Sequence, residues 1–221
     1  MRVGKYLSRA GICSRREAAD FIKKHRVLYK GVKVERLDLD IPESDSIEID
    51  GKTTKPSVGN KVYVLNKPPG FICSHKEQWG KKSIFRLLPK ELFNFYFAGR
   101  LDENSRGLVV LSNDGDLVYN LTHPSNKTVK IYHIITSRPL SKEEKERLIV
   151  GVWDKAEKLS ADRIDNLEKP AHYEFELHSG KKRVIRRMVE MVGASVIDLV
   201  RIKMGKYNLD DLEQGKYIEV D

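Results

Sequence analysis

Short apolar runs, rather than long periodic stretches, dominate residues 61–221 of this chain. Several runs alternate or are rich in β-branched residues, as buried or half-buried strands require. The predicted strands are 61–65, 108–112, 128–136, 171–177, 195–204 and 216–220. Other stretches have helical spacing, and the predicted helices are 83–88, 116–122, 141–150 and 182–192. Because strands and helices do not alternate regularly, the pattern predicts an α+β fold with a mixed, largely antiparallel sheet.

Two of these helices have clear end signals. Ser141 with Glu144 predicts a capping box at the start of helix 141–150, and Gly193 follows the last turn of helix 182–192. The apolar side chains of the latter share one face, which is predicted to be buried, and they are Val184, Ile185, Met188, Val189 and Val192. The residues left to point elsewhere are Arg183, Arg186, Arg187 and Glu190.

The beginning of the chain has a different pattern, two short helices followed by a hairpin. The apolar face of the first helix consists of Val3, Tyr6, Leu7 and Ala10. Ser14 and Glu17 predict a capping box for a second helix that ends near His25. Its buried residues are predicted to be Ala18, Ala19 and Ile22. Residues 27–29 and 32–34 then predict the two strands of a hairpin.

A polar segment separates these two parts of the chain. Residues 50–60 follow neither periodicity and contain Pro56 and Gly59, so they are predicted to form a linker. The domain boundary is placed near residue 58, which gives a first domain of residues 1–58 and a second of residues 59–221.

Positive charge is concentrated at the beginning of the chain. The 221 residues carry a net charge of +9, and residues 1–36 alone hold 11 Lys and Arg against 3 Asp and Glu. This distribution indicates an anionic partner, although an ordinary solvated basic face would explain the charge alone equally well.

Several classes of protein are not indicated. No apolar run approaches the length of a membrane span, the first residues lack the apolar core of a signal peptide, and only two cysteines occur. A cytoplasmic location is therefore predicted. The six His and two Cys show no ligand spacing, and no glycine-rich phosphate loop occurs, so neither a metal nor a cofactor is predicted.

The strongest chemical signal lies in residues 99–115, which read GRLDENSRGLVVLSNDG. The apolar run 108–111 predicts a buried strand closed by an Asn-Asp-Gly turn. Asp102 then lies in a loop held against a rigid strand, where functional carboxylates are often placed. An isolated aspartate in such a context is more often a helix cap or a turn residue, so the motif needs further support.

That support comes from a family resemblance. The segment closely resembles the signature of the bacterial ribosomal pseudouridine synthases of the small-subunit (RsuA-like) family. Three further segments resemble the same family in the same order, and they are Asn66-Lys67-Pro68-Pro69-Gly70, Lys130-Ile131-Tyr132 and residues 180–188, GKKRVIRRM. Taken alone, the first of these is simply a Pro-Gly turn. In the last, Val184 stands where the relatives usually carry Gln.

The resemblance implies an enzyme that isomerises a uridine to pseudouridine in ribosomal RNA, most closely in 16S rRNA. Asp102 is then the catalytic residue, and Arg186 is the guanidinium that keeps it ionised against the effect of burial. Tyr132 stacks on the everted base or serves in proton transfer, although strand tyrosines commonly just pack in a core. The reaction breaks the C1′–N1 bond and rejoins the base through C5, without a cofactor. Whether the carboxylate attacks the substrate or removes a sugar proton stays open.

The resemblance also implies contacts to the RNA around the site. Arg100 fills the space that the uridine leaves or binds the flanking phosphate, and Arg183 and Arg187 are further candidates for RNA contact. The alternative for Arg100 is an ordinary surface salt bridge. For the cluster of Arg183, Arg186 and Arg187, the alternative is an exposed basic helix face.

The first domain has a resemblance of its own. Its helices and hairpin, with the segment SRREAADFI, resemble the S4 RNA-binding module over about residues 1–50. The candidate phosphate contacts are Arg9, Arg15, Arg16, Lys23 and Lys24. Such a module positions RNA rather than reads its sequence.

The implied partner is ribosomal RNA or a ribosomal assembly intermediate. A monomer is expected, because no oligomerisation signal stands out in the sequence. The alternatives are a 23S rRNA substrate, a non-catalytic ribosome-associated RNA-binding factor and an enzyme that modifies tRNA.

Overall fold

The computed structural model describes residues 1–56 and 59–221 and divides into two compact units, Met1–Asn60 and Lys61–Asp221. The predicted boundary at residue 58 itself lies outside the described residues. Each unit has its own hydrophobic core. Within the described residues, no helix is long and apolar enough to cross a membrane.

The first unit begins with two short helices, α1 (Val3–Arg9) and α2 (Ala18–Lys24). The predicted capping box is present, because Glu17 N–H donates to Ser14 Oγ at 3.3 Å and Ser14 N–H donates to the Glu17 carboxylate at 3.0 Å. The helix itself begins one residue after this box, at Ala18. Ala18 is buried as predicted, whereas Ala19 is only half-buried.

A four-stranded antiparallel sheet completes this unit. Its strands are β1 (Val27–Tyr29), β2 (Val32–Lys33), β3 (Ile47–Ile49) and β4 (Lys52–Thr54), in the order β2-β1-β3-β4. The β1–β2 hairpin is confirmed. The linker prediction is wrong at its start, because Asp50 and Gly51 form a tight turn with φ of 48° and 83° that pairs β4 with β3. Asp-Gly favours such a turn, but β4 is too short and polar to show a strand period.

The second unit is a larger sheet with helices and small hairpins around it. Its strands are β5 (Val62–Lys67), β6 (Phe71–Ile72), β7 (Lys82–Ser83), β8 (Tyr96–Ala98), β9 (Arg106–Ser112), β10 (Lys130–Thr136), β11 (Val152–Asp154), β12 (Glu157–Leu159), β13 (Arg163–Asn166), β14 (His172–Leu177), β15 (Val196–Met204), β16 (Tyr207–Asn208) and β17 (Tyr217–Val220). Its helices are α3 (Gly115–Thr122), α4 (Lys142–Val150) and α5 (Val184–Glu190), with 3₁₀ turns at Ile84–Leu87, Lys90–Leu92 and Pro124–Asn126.

The main sheet has the strand order β13-β14-β10-β15-β9-β5-β17, with β8 paired to β9 and β16 paired to β15. Its neighbours are antiparallel except for β9 and β15, which run parallel. The predicted mixed and largely antiparallel sheet is therefore confirmed.

The differences from the predicted elements have local causes. Residues 83–88 form a 3₁₀ turn instead of an α-helix, started by Ser83 Oγ, which accepts from Phe85 N–H at 3.1 Å. The Asn-Asp-Gly segment after β9 does not close a hairpin, because Asp114 caps α3 by accepting from Asp116 N–H at 2.9 Å. Strands β8 and β13 were not predicted, since three or four residues are too few to show a period.

Helix α5 packs on the sheet through the predicted apolar face. Its residues Val184, Ile185, Met188 and Val189 are buried in the same core as Phe175 of β14. The helix begins two residues later than predicted and is followed by Gly193 with a φ of 73°. This packing places the first turn of α5 beside the loop between β8 and β9.

Candidate active site

Asp102 lies in a loop next to the strand β9, as predicted, and this loop connects β8 to β9. The loop leaves β8 through Gly99, whose φ of 70° favours glycine, and it turns tightly because Ser105 N–H donates to the Asp102 carbonyl at 3.0 Å. Leu101 is buried and anchors the loop in the core. The Asp102 side chain itself keeps 37% of its surface exposed. The carboxylate is therefore accessible on a fixed backbone.

A buried lysine fixes this loop through hydrogen bonds to its backbone. Lys67 is 0% exposed, and its ammonium group donates to the carbonyls of Ser105 at 2.6 Å, Pro68 at 3.1 Å and Glu103 at 3.2 Å. Gly70 N–H donates to the Glu103 carbonyl at 2.9 Å. Burial lowers the pKa of Lys67 to about 8. The Asn-Lys-Pro-Pro-Gly segment is thus more than a turn, because it fixes the backbone after Asp102.

The structure explains why the motif has a glycine at position 107. Its φ is 104°, and a Cβ there would lie 2.4 Å from the Arg201 carbonyl oxygen and 2.8 Å from the Arg201 nitrogen. Only a glycine therefore lets β15 approach β9 this closely. Arg106 and Asp198 join the same two strands through an ion pair of 2.7 Å, which lowers the pKa of Asp198.

Three buried side chains form one wall of a pocket beside Asp102. Tyr132 of β10 and Arg201 of β15 are direct cross-strand partners, so their side chains share a face of the sheet. Lys130, two residues before Tyr132, is buried on the same face. Arg201 is 2% exposed, and its Nε donates to the Leu108 carbonyl at 2.9 Å. Its buried Nη2 has no partner among the residues that the structure describes.

The arginine nearest to Asp102 is Arg183 rather than Arg186. Arg183 Nη1 lies 3.8 Å from Asp102 Oδ2. Arg186 instead donates to the Val196 carbonyl at 2.8 Å and to Ser105 Oγ at 3.4 Å. The predicted direct pairing of Arg186 with Asp102 is therefore wrong in this structure, because these two acceptors take the guanidinium.

Arg186 still belongs to the electrostatics of the site. Burial, and then the charge of Arg183, lower the pKa of Arg186, whereas the charge of Asp102 acts in the opposite direction. Its Nε is buried without a partner in the described part of the chain. Arg186 thus supports the Asp102 loop through Ser105 and adds positive charge to the pocket.

The pocket formed by these elements has a volume of about 570 Å³. Its lining holds eight Lys and Arg side chains, including Arg100, against the two carboxylates of Asp102 and Glu103. Such an excess of positive charge favours an anionic ligand. Glu103 is paired with Lys81, and burial raises the pKa of the Cys73 thiol, which keeps it neutral. Asp102 is thus the lining group best suited to act as a base or nucleophile.

Two of the predicted RNA contacts are already engaged within the protein. Arg187 pairs with Asp154 and, at 2.8 Å, with Glu157, which joins α5 to the β11–β12 hairpin. Arg9 pairs with Glu43 at 2.8 Å, and its side chain is only 15% exposed. Both arginines therefore have structural partners that a phosphate would have to displace.

The remaining predicted RNA contacts are open to solvent. Arg100 and Arg183 are exposed at the pocket. In the first unit, the exposed candidates are Arg15, Arg16, Lys23 and Lys24. Across the described residues, no group of three or more His, Cys, Asp or Glu side chains is arranged to hold a metal ion.

Sequence reasoning missed three buried cations, Lys67, Lys130 and Arg201. The first two lie inside segments that were singled out for other reasons. Arg201 interrupts the apolar run of a central strand, and that is a usable signal, because a charge is seldom buried without a specific role.

Comparison with known proteins shows the class of enzyme to which this chain belongs. Residues 61–191 match the family model described as RNA pseudouridylate synthase. A protein of Rickettsia felis described as an uncharacterized RNA pseudouridine synthase is 33% identical over 224 residues, which cover 100% of this chain and 96% of the relative. One of the same description from Aquifex aeolicus is 32% identical over 231 residues, which cover 100% and 92%. The chain belongs to the RNA pseudouridine synthase family and is an isomerase.

Two further likenesses extend over nearly the whole chain. A ribosomal small subunit pseudouridine synthase A of Yersinia pestis is 28% identical, with 98% of this chain and 93% of the relative covered. A crystal structure of a pseudouridylate synthase superposes with a TM-score of 0.71 at 24% identity and covers 100% of this chain and 96% of that one. The latter shows that the fold is shared.

Proposed function

We propose that this pseudouridine synthase isomerises a uridine of 16S ribosomal RNA and that Asp102 is its catalytic residue. The observation that carries the proposal is the accessible Asp102 carboxylate on a loop fixed by Lys67, at a pocket lined by an excess of cations. A target uridine must leave its stack to reach this carboxylate, which costs a few kcal/mol that contacts in the pocket have to offset.

The buried arginines suit the charge that develops during the reaction. When the C1′–N1 bond breaks, the bonding electrons leave with the base and spread over its ring nitrogens and carbonyl oxygens. Arg201 Nη2 and Arg186 Nε each have a hydrogen-bond donor without a protein acceptor among the described residues. In this proposal a uracil oxygen accepts from Arg201, and Tyr132 packs against the base. Preorganised donors of this kind stabilise charge more strongly than water does.

Asp102 acts in its ionised form on either route left open by the sequence. As a nucleophile it bonds to the sugar or the base, and as a base it removes a sugar proton. The freed base turns and its C5 bonds to C1′. On the first route this step is accompanied by cleavage of the bond to Asp102, and on the second route Asp102 returns the proton to the sugar. The C5 proton is then lost to solvent while N1, no longer bonded to the sugar, takes up a proton, so the carboxylate is regenerated. Arg183 is proposed as the cation that faces Asp102, and Arg186 as the residue that positions its loop.

The choice of RNA rests on the relatives and on the first unit. The likeness to the small-subunit enzyme of Yersinia pestis extends over both chains almost completely. The first unit is proposed to be an S4-like module that brings structured RNA to the catalytic unit through Arg15, Arg16, Lys23 and Lys24. The protein is proposed to act as a monomer in the cytoplasm, on ribosomal RNA or an assembly intermediate.

Tritium release tests the proposal, because the reaction expels the hydrogen on C5. Transcripts of 16S and 23S rRNA made with [5-³H]uridine, each free and in assembly particles, are incubated with the protein. The proposal predicts release from 16S rRNA that stops once a single site is converted. Tritium release from 23S rRNA alone would show that the substrate is the rRNA of the large subunit. No release from either RNA would contradict the proposed function.

A further inference from the structure

Trp79 lies at the tip of a tight turn in the second unit. Gln78 and Lys81 form an antiparallel bridge around it, and Lys81 N–H donates to the Gln78 carbonyl at 2.9 Å. Trp79 and Gly80 have φ of 51° and 74°, the two positive values of a type I′ turn. Asn, Asp and Gly favour the first of these positions, and a bulky residue is strained there. The backbone conformation therefore does not account for the tryptophan.

Packing does not account for it either. Trp79 is 88% exposed, more than the other exposed large hydrophobic residues of the described chain. Elsewhere in the second unit aromatic rings pack on one another, as His75 and Phe85 do with centroids 4.4 Å apart. The indole of Trp79 has no such ring or cation against it among the described residues. Its large π-face is presented to solvent.

The turn around this ring is basic. Residues 76–82 read KEQWGKK, and all three lysines are exposed. The Glu77 carboxylate is engaged by Arg86 in an ion pair. An exposed aromatic ring among lysines is the combination with which proteins bind single-stranded nucleic acid, because bases stack on the ring while the cations hold the phosphates.

The turn is tied to the catalytic loop. Lys81 lines the pocket and pairs with Glu103, the residue after Asp102. Trp79 is not itself part of the pocket lining. The ring therefore lies outside the pocket, in the same tight turn as the pocket residue Lys81.

We propose that Trp79 is an RNA contact of this enzyme, which stacks on a nucleobase next to the everted uridine. This inference rests on the proposed function, because it assumes an RNA substrate whose target lies at Asp102. Any of the four bases can stack on the ring, so the contact would hold the RNA strand near the pocket and contribute little sequence selectivity.

The chain offers a matched control in its other tryptophan. Trp153 is 65% exposed on β11 and lines a separate cavity together with Glu143 and Glu146. Arg147 also lines this cavity, but the two carboxylates leave its lining net negative, so this surface is not expected to contact RNA. A comparison of substitutions at Trp79 and at Trp153 therefore separates an effect of RNA stacking from the general effect of losing an exposed indole.

Steady-state kinetics on the tritiated 16S transcript tests the inference. Trp79→Ala is expected to raise KM about tenfold with kcat nearly unchanged, since stacking contributes to binding and not to the chemical step. Trp79→Phe, which keeps a ring, should recover most of the loss, and Trp153→Ala should match the wild type. Equal KM values for Trp79→Ala and Trp153→Ala would overturn the inference, and a surface for a protein partner would then be the better explanation.

Fluorescence decides the question independently of catalysis. In the full-length Trp153→Phe variant, Trp79 is the single tryptophan, since the chain contains two. Oligouridylate should quench its emission, whereas a ribose phosphate polymer without bases should not. Emission that oligouridylate leaves unchanged would refute the inference even if the enzyme is active. Quenching without tritium release from any ribosomal RNA would instead contradict the proposed substrate and leave the RNA contact standing.

Discussion

At the scale of single residues, the site depends on buried cationic side chains, and their hydrogen-bond partners determine how costly that burial is. Lys67 is buried but donates to three carbonyls, so its cation is compensated while it anchors the loop of Asp102. Arg201 is equally buried but keeps one nitrogen without a partner in the described chain. A buried donor left without an acceptor is costly, and a substrate oxygen would remove that cost.

The two arginines near Asp102 are expected to differ when each is replaced by alanine. Arg183→Ala should leave the free energy of unfolding within about 0.5 kcal/mol of the wild type, because exposed ion pairs contribute little to stability. Its kcat should fall about tenfold or more, since a cation near the reacting carboxylate is lost. Arg186→Ala should cost about 2 kcal/mol in stability, because it removes the hydrogen bonds to Val196 and Ser105.

Urea denaturation and tritium release, measured on the same preparations, distinguish these outcomes. If Arg186→Ala were as stable as the wild type while Arg183→Ala kept full activity, the assignment of Arg183 as the cation facing Asp102 would fail.

At the scale of elements, the close approach of β9 and β15 brings Arg201 to the pocket. Gly107→Ala places a Cβ within 2.4 Å of the β15 backbone at a positive φ, so neither strain nor clash can be relieved by moving a flexible side chain. We expect a loss of about 3 kcal/mol or more in the free energy of unfolding. The matched control is Gly180→Ala, since a Cβ there meets open space. Comparable urea midpoints for the two variants would contradict this account of the motif.

The capping box of α4 gives a prediction for pH dependence. Arg138, and then the Ser141 backbone, lower the pKa of Glu144 from 4.5 to about 2. The carboxylate therefore stabilises the fold fully above pH 4.5, and that contribution is lost as the pH falls through about 2. Glu144→Gln should be about 1 kcal/mol less stable than the wild type at neutral pH, with a difference that shrinks steadily in acid.

Denaturation at a series of pH values checks this prediction. Glu146→Gln on the same helix is the control, because its exposed pairing with Lys142 at 4.0 Å should contribute little. A Glu144→Gln deficit that is the same at every pH would show that the carboxylate charge is not what stabilises this helix start.

Strands and helices long enough to show a hydrophobic period were predictable from the sequence, whereas several strands of three or four residues were not. In the second unit, the six predicted strands and three of the four predicted helices are present, because their burial imposes the period directly. The strands β4, β8 and β13 have only three or four residues and form by pairing with the neighbouring strand in the sequence, which a local hydrophobic period does not show. The same holds at the site, where the motif located Asp102 but only the packing of α5 decided that Arg183 faces it and Arg186 faces Val196.

At the scale of the whole molecule, positive charge is found in both units. The exposed cations of the first unit and those lining the pocket of the second would both bind a polyanion. Arg15→Ala combined with Arg16→Ala should weaken binding to any structured RNA and lower the dependence of log affinity on log salt by about 1.5. The kcat on 16S rRNA should not change.

Filter binding at several KCl concentrations measures that slope. Arg36→Ala is the control within the same unit, since Arg36 is already paired with Asp38. A double variant with the salt slope of the wild type would show that the first unit does not hold the RNA through these residues.

The central claim is that one carboxylate performs the chemistry, and Asp102→Asn tests it most directly. The change is nearly isosteric on a partly exposed side chain, so stability should stay within about 0.5 kcal/mol of the wild type and RNA affinity should be preserved. Tritium release from [5-³H]uridine in 16S rRNA should be abolished in this variant while the wild type releases it. An Asp102→Asn variant that releases tritium at a rate near that of the wild type would contradict the account.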